Sequence, residues 1–124
     1  MHVISASQER TVTTPAAVMI GLAAPSRGSA ELSTWRVRMN PGSPSPVHVV
    51  DREQVWMIIA GAFEFTVDGE SAKAVAGQAV VVPAGASRRF HALAEAGDAL
   101  VCMAAGGQVG APGSEARQPI PWAV

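Results

Sequence analysis

The sequence has 124 residues, of which 48% are hydrophobic and 15% are charged, and its formal net charge is −1. This length fits one domain, and this composition is typical of a folded globular chain rather than a disordered one. The near-neutral charge balance gives no basic surface for nucleic acid or for an anionic membrane. We therefore expect no nucleic-acid or membrane partner, and small molecules or other protein chains remain as expected partners.

The first ten residues, MHVISASQER, lack the basic region and apolar core of a secretory signal peptide. No stretch approaches the roughly 18 apolar residues that a membrane-spanning segment requires. A cytoplasmic location is therefore expected. The single cysteine, Cys102, cannot form an internal disulfide bond, and its apolar neighbours in ALVCMAA predict a buried thiol that packs as a small hydrophobic group.

Short apolar segments begin with AAVMIGLA at residues 16–23, which ends where proline and glycine follow. The next segment, ELSTWRVRM at residues 31–39, alternates between apolar and charged side chains. Trp35, Val37 and Met39 share one face, which predicts a half-buried strand. The loop NPGSPSP follows, because three prolines and a glycine cannot continue a strand.

Further apolar segments of four to eight residues follow, and turns separate them. The dipeptide Asp68-Gly69 is a strong hairpin signal, since a type I′ turn needs positive φ at both central residues. Many short strands at regular spacing predict an antiparallel sandwich or barrel. In chain order these segments are VHVV, QVWMIIA, AFEFTV, SAKAVA, AVVVPA, SRRFHALA and ALVCMAA.

The residues from 106 to 124 are rich in glycine and proline, and they predict an extended tail. Trp122 favours docking of this tail on the barrel or on a partner subunit, because a solvated tryptophan would expose a large apolar surface. A frayed tail is the alternative. The chain is thus predicted to be one domain, 1–124, with a barrel core at about residues 16–105 and a tail at 106–124.

Two blocks of the sequence resemble the two motifs of the cupin superfamily, G(x)5HxH(x)3E(x)6G and G(x)5PxG(x)2H(x)3N. The resemblance covers roughly residues 30–105. It implies an all-β fold, the antiparallel double-stranded β-helix or jelly-roll barrel of cupins, and it also implies a homodimer. The positions in register with the motifs are Gly42, His48, Gln54, Gly61, Gly77, Pro83 and Gly85.

The metal-ligand positions of the two motifs are mostly changed in this sequence. His48 stands at the first histidine position, whereas the second holds Val50, the glutamate position holds Gln54 and the third histidine position holds Arg88. Valine cannot bind a metal, and a guanidinium at the site would repel a cation. The resemblance with these changes implies a site without a metal cofactor, in which Arg88 instead binds or stabilises an anion.

His48, Arg88 and Gln54 are the predicted catalytic residues. His48 is the natural acid or base, because a histidine side chain exchanges protons near neutral pH. Arg88 would stabilise developing negative charge, and Gln54 would hold the histidine tautomer or bind the substrate. The predicted substrate-binding residues share the cavity face with these positions or lie on neighbouring strands, although each also fits a plain core role: Trp56, Phe90, Met39 and Phe63.

Three functions remain open from the sequence. The first is a metal-independent isomerase, cyclase or lyase that acts on a carbonyl-containing, polyketide-like secondary metabolite through His48. The second is a non-catalytic module that binds a small anion. The third is an oxygenase or isomerase with iron, nickel, zinc or manganese on His48, Gln54 and His91. Strand alternation predicts that His91 points away from the cavity unless a bulge intervenes.

Overall fold

Two antiparallel sheets make up most of the structure, a computed structural model that describes all 124 residues. Short 3-10 turns lie at Gln8–Arg10, Pro25–Arg27 and Pro121–Ala123. The strands are β1 (Thr11–Thr13), β2 (Ala17–Gly21), β3 (Leu32–Met39), β4 (His48–Val50), β5 (Gln54–Ala60), β6 (Ala62–Val67), β7 (Glu70–Val75), β8 (Ala79–Val82), β9 (Ser87–Ala92), β10 (Gly97–Ala104), β11 (Gln108–Gly110) and β12 (Gln118–Pro119).

Each sheet has six strands. The first has the order β1-β2-β3-β10-β5-β8, and the second has the order β12-β11-β4-β9-β6-β7. Strands far apart in sequence are neighbours, as in the pairing of β3 with β10, which places Trp35 beside Val101. This arrangement confirms the all-β jelly-roll barrel. No helix of the structure has the length and hydropathy needed to cross a membrane.

The core lies between the inner faces of the two sheets, where strand alternation places the apolar side chains. In β3 the predicted face is buried, and Trp35 is 3% exposed. An aromatic cluster fills the centre, with the ring centroids of Trp56 and Phe65 5.2 Å apart and those of Trp56 and Phe90 4.4 Å apart. Two members of this cluster, Trp56 and Phe90, also line the cavity of the candidate site.

The predicted hairpin at Asp68-Gly69 is present between β6 and β7. Both residues have positive φ, 48° and 83°, as a type I′ turn requires. The Asp68 side chain also accepts a hydrogen bond from the main-chain N–H of Ser87 at 2.9 Å. The turn and this hydrogen bond therefore help to fix the register of β6 with β7 and with β9.

The outer face of the first sheet carries apolar side chains, including the exposed Met57, Ile59 and Val81. Cys102 lies on this face and is half-buried, whereas its neighbours Val101 and Met103 on β10 point into the core. The prediction of a buried Cys102 was therefore wrong. The strand was identified, but apolar residues occupy both of its faces, so the sequence pattern does not show which face is inside.

The tail docks on the barrel and is not frayed. Strand β11 pairs with β4 on one side and with β12 on the other. Ile120 and Ala123 are buried, at 4% and 3% exposure. The hydroxyl of Ser33 on β3 donates to the main-chain oxygen of Ala123 at 2.6 Å. The tail therefore belongs to the folded unit and reaches the open end of the cavity.

Candidate active site

A cavity of about 620 Å³ opens at one end of the barrel. Its walls come from the residues before and within β2, from β3, from the loop Gly42–Pro46, from β4, β5 and β9, and from the tail. All three tryptophans of the chain line it: Trp35, Trp56 and Trp122. This volume lies within the range of ordinary small-molecule sites, and the mostly apolar wall suits a flat ligand.

His48 begins β4 and lines the cavity while it remains half-buried. Its Nδ1 lies 2.8 Å from the main-chain oxygen of Pro46. Because a carbonyl oxygen only accepts hydrogen bonds, Nδ1 must carry the proton in this contact. The neutral ring therefore has its free lone pair on Nε2, and Nε2 is the nitrogen that can take a proton.

The pKa of His48 lies below its usual value near 6.5. Burial is the main cause, and the positive charge of Arg88, its cross-strand neighbour, lowers the pKa further. The hydrogen bond to Pro46 acts in the opposite direction and is outweighed. His48 is therefore neutral, and able to act as a base, at neutral pH.

Ser45 lies in the proline-rich loop before β4 and is only 7% exposed, although it lines the cavity. Its main-chain N–H donates to the main-chain oxygen of Phe90 at 2.9 Å, and its Oγ accepts from the main-chain N–H of Phe90 at 3.0 Å. These two bonds fix the loop against β9. The hydroxyl hydrogen of Ser45 has no acceptor within the protein, so it can donate to a ligand.

Gln54 lines the cavity and is 4% exposed. Its Oε1 accepts two hydrogen bonds, from Nε1 of Trp56 at 3.3 Å and from Nη1 of Arg88 at 3.4 Å. Its Nε2 lies 3.7 Å from the sulfur of Met103. The amide is thus held in one orientation by Trp56 and Arg88, and it makes no hydrogen bond to His48.

Arg88 points into the barrel, as predicted, but it does not line the cavity. The side chain is 1% exposed, and its remaining nitrogens donate to the main-chain oxygens of Ala86 at 3.2 Å and Pro83 at 2.8 Å. Burial lowers the pKa of Arg88 to about 10, against the attraction of Asp68, so the guanidinium stays charged at neutral pH. The predicted contact of Arg88 with a ligand is corrected, because protein acceptors engage the guanidinium below the cavity.

The four predicted substrate-binding residues divide into two pairs. Trp56 and Phe90 line the cavity. Met39 and Phe63 lie outside its lining, at 1% and 0% exposure, and the prediction for them is corrected. Phe63 packs deep in the core against Gly97, where an added Cβ would lie 2.5 Å from the ring.

The alternative metal ligands do not converge. His91 lies on β9 opposite Glu64, on the other face from the cavity-lining Phe90, and it does not line the cavity with His48 and Gln54. No three histidine, cysteine, aspartate or glutamate side chains cluster anywhere in the structure. The Gln54 carbonyl oxygen already accepts two hydrogen bonds, one of them from a cation. The residues present therefore do not fit a divalent metal ion.

Three parts of the cavity wall were not predicted from the sequence. They are Ser45 with its loop, a group before and within β2 (Thr14, Pro15, Ala16, Ala17 and Met19), and a group in the tail (Val109, Ile120 and Trp122). The position of the loop directly before His48 was an available signal for the first. Nothing in the local pattern of the other two shows that they meet at the cavity, because this contact depends on the tertiary fold.

The family model described as "Cupin domain" matches residues 35–105, more than half of the chain, so this protein belongs to the cupin family. The search of curated proteins finds no match. The solved structures with this fold include the polyketide cyclase RemF from Streptomyces resistomycificus. That likeness has a TM-score of 0.72 and 16% sequence identity, and it covers 98% of this chain and 84% of RemF.

Two other similar structures show the range of the fold. The structure of KdgF from a Halomonas species has a TM-score of 0.66 and 19% identity, over 83% of this chain and 86% of KdgF. A variant of oxalate decarboxylase from Bacillus subtilis has a TM-score of 0.75 and 18% identity, over 86% of this chain but only 30% of the decarboxylase. At these identities the likeness establishes the fold alone.

Proposed function

We propose that this cupin is a metal-independent isomerase, cyclase or lyase that removes a proton next to a carbonyl group of a small, polyketide-like molecule. The observation that carries the proposal is that His48 is the one titratable side chain among the residues that line the cavity. Its tautomer is set by Pro46, and its lowered pKa keeps it neutral at neutral pH. A neutral histidine at the edge of an apolar cavity is well suited to general-base catalysis.

In the proposed first step, Nε2 of His48 takes a proton from a carbon atom next to the substrate carbonyl. Negative charge then develops on the carbonyl oxygen, and the free hydroxyl hydrogen of Ser45 stabilises that oxygen by a hydrogen bond. The protonated His48 returns the proton to another atom of the enolate or to a leaving group. Ser45 therefore takes the role that the sequence had predicted for Arg88.

The proposed ligand is neutral, flat and largely apolar. Aromatic and aliphatic side chains form most of the wall, and no arginine or lysine lines it. An anion would enter without a cationic partner, which is unfavourable in an apolar site. A module that binds a small anion would need a cationic group in contact with the ligand. The Arg88 guanidinium does not fill this role, because it bonds to protein oxygens.

RemF, described as a polyketide cyclase, supports the substrate class because almost all of this chain superposes on it. The support is one of shared fold, and the chemical argument comes from this chain's own cavity.

A metal-dependent reaction, the remaining alternative, is not favoured by the donor set at the motif positions. The proposed absence of a metal cofactor is checked by elemental analysis of protein purified without chelator, and near-stoichiometric iron, nickel, zinc or manganese would contradict it.

The proposed proton abstraction can be measured without knowledge of the natural substrate. A bicyclic aryl ketone, tetralone, is incubated with the protein in deuterium oxide, and deuterium uptake next to its carbonyl is followed by mass spectrometry. We expect the protein to accelerate the exchange. His48→Gln should slow the catalysed exchange by about 10²–10⁴-fold, which is the usual contribution of a general base.

The matched control is His91→Gln, the same substitution on the outer face of β9, and it should leave the exchange rate unchanged. Ligand binding, followed by tryptophan fluorescence, should survive in both variants because neither removes an aromatic wall. Exchange that is equally fast in His48→Gln would reject His48 as the base.

The homodimer and the cytoplasmic location stay predictions. A homodimer suits the exposed apolar residues Met57, Ile59 and Val81 on the outer face of the first sheet. Size-exclusion chromatography with light scattering checks the oligomeric state, and a monomer at micromolar concentration would count against it.

A further inference from the structure

We propose that Ile120 and Trp122 of the C-terminal segment are specificity-determining residues that limit how large a ligand the cavity accepts. The inference rests on the proposed function in that it concerns the same cavity, but it does not depend on any catalytic step. Both side chains line the cavity, and they lie far in sequence from every other wall residue except Val109. The segment therefore contributes a part of the wall that the other lining residues do not supply.

The main chain of this segment is anchored to the barrel at two adjacent points. The hydroxyl of Ser33 donates to the main-chain oxygen of Ala123 at 2.6 Å. The main-chain oxygen of Val124 accepts from Nη2 of Arg10 at 2.6 Å and from the hydroxyl of Ser26 at 2.7 Å. Because these bonds go to the main chain, the side chain of Trp122 contributes to the wall without being needed as an anchor.

Gly21 at the end of β2 permits the close approach of the segment. A Cβ atom at this position would lie 2.5 Å from the main-chain oxygen of Trp122. That distance is too short for any real contact, so a larger residue at position 21 would push the segment away from the barrel. Gly21 itself does not line the cavity. A substitution at Gly21 can therefore displace the segment without changing a side chain that contacts the ligand.

The segment is attached to the sheets by few main-chain pairs. Strand β12 is paired with β11 through two residue positions only, Gln108 with Pro119 and Val109 with Gln118. The preceding residues 111–117 are mostly exposed. A change in the wall should therefore alter the cavity while it leaves the two six-stranded sheets in place.

The indole of Trp122 contributes its apolar ring to the wall. Its Nε1–H is buried and has no hydrogen-bond partner in the protein. Because this N–H has no accessible surface, the indole acts on a ligand through its apolar ring. The wall thus fits a flat, neutral, multi-ring molecule.

The test compares two neutral hydroxyarenes, naphthol with two fused rings and phenanthrol with three. Their dissociation constants are measured at neutral pH from the fluorescence of Trp35 and Trp56, which remain in every variant. Trp122→Ala removes the side chain of the wall, and Gly21→Ala displaces its main chain. In both variants we expect the ratio of the phenanthrol to the naphthol dissociation constant to fall by about tenfold or more, because a change of pocket size by a few atoms has effects of this order.

Two substitutions serve as controls. Pro121→Ala lies in the same segment and Val18→Ala in the same strand as Gly21, and neither residue lines the cavity. The ratio should stay as in the unmodified protein. An unchanged ratio in folded Trp122→Ala or folded Gly21→Ala overturns the inference. Unfolding of both variants, detected by thermal denaturation, also overturns it, because a wall that the fold requires is not a separable determinant of specificity.

These outcomes are distinct from a failure of the proposed function. If the protein never accelerates deuterium exchange into tetralone, the catalytic role of His48 is rejected while the ratio of dissociation constants still reports on the wall. If exchange depends on His48 but the ratio does not change, the wall is rejected and the catalytic proposal stands.

Discussion

Two groups of polar residues occupy the barrel interior, and they use their hydrogen-bonding capacity differently. In the buried network of Arg88, Gln54 and Trp56, each polar group donates to or accepts from another protein group. On the loop side of the cavity, Ser45 retains a free hydroxyl hydrogen and His48 retains a free ring nitrogen. His48 and Gln54 stand at positions of the first family motif, and Arg88 stands at a position of the second.

The difference separates stability from chemistry. A polar group whose partners are all within the protein has nothing left to offer a ligand, so the buried network stabilises and orients the barrel. A polar group that is held in place by one bond and free on its other side is ready to act on a ligand. The predictions below test this separation, beginning with the largest expected effect on free energy.

Arg88→Ala should destabilise the fold strongly. The substitution removes three hydrogen bonds, to the main-chain oxygens of Pro83 and Ala86 and to Oε1 of Gln54. It also creates a cavity, so the free energy of unfolding should fall by about 3 kcal/mol. Urea denaturation measures this loss. Arg89→Ala, on the exposed face of the same strand, should change it by less than about 0.5 kcal/mol. Equal stability of the two variants would remove the structural role of the buried network.

Ser45→Ala should reduce catalysis strongly and fold stability slightly, by about 1 kcal/mol, because the main-chain N–H of Phe90 loses its acceptor. Loss of one donor to a developing oxyanion typically lowers the rate by about a hundredfold, so exchange into tetralone should slow by that order. Ser87→Ala, at a serine of β9 that does not line the cavity, is the matched control and should retain the rate. A normal rate in Ser45→Ala would show that another group stabilises the substrate oxygen.

The pH dependence of stability should contain a small contribution from His48. Its pKa in the folded protein is below 6.5, so as the pH falls through 6.5 the unfolded chain takes up this proton first. The free energy of unfolding should therefore decrease as the pH falls below 6.5 and level off below the folded pKa. Above 6.5 His48 is neutral in both states and contributes nothing. Urea denaturation of His48→Gln at several pH values should lack this component.

Much of the fold could be predicted from the sequence, because turn residues and alternation act locally. The Asp68-Gly69 turn and the buried face of β3 both follow from rules that involve neighbouring residues only. The spacing from Gly42 to Gly61 gave the family. The family motif implied an inward position for Arg88, and strand alternation relative to Arg88 then predicted the outward direction of His91.

The remaining features depend on contacts between distant parts of the chain. The sequence placed Arg88 inside the barrel but could not show that Pro83 and Ala86 would present their carbonyl oxygens to it. Phe63 was on an inner face, yet its depth depends on the close approach of Gly97 from another strand. The tail was recognised by Trp122, but its contact with the cavity depends on Gly21, roughly a hundred positions away in sequence.

The central claim, that His48 is the base, is tested most directly by the pH dependence of exchange into tetralone. For the free enzyme, kcat/KM should fall on the acid side with an apparent pKa below 6.5, and this value should match the pKa of the His48 ring measured by NMR. The acid limb should disappear in His48→Gln together with the exchange itself. An acid limb that differs from the His48 titration, or that persists unchanged in His48→Gln, would contradict the assignment.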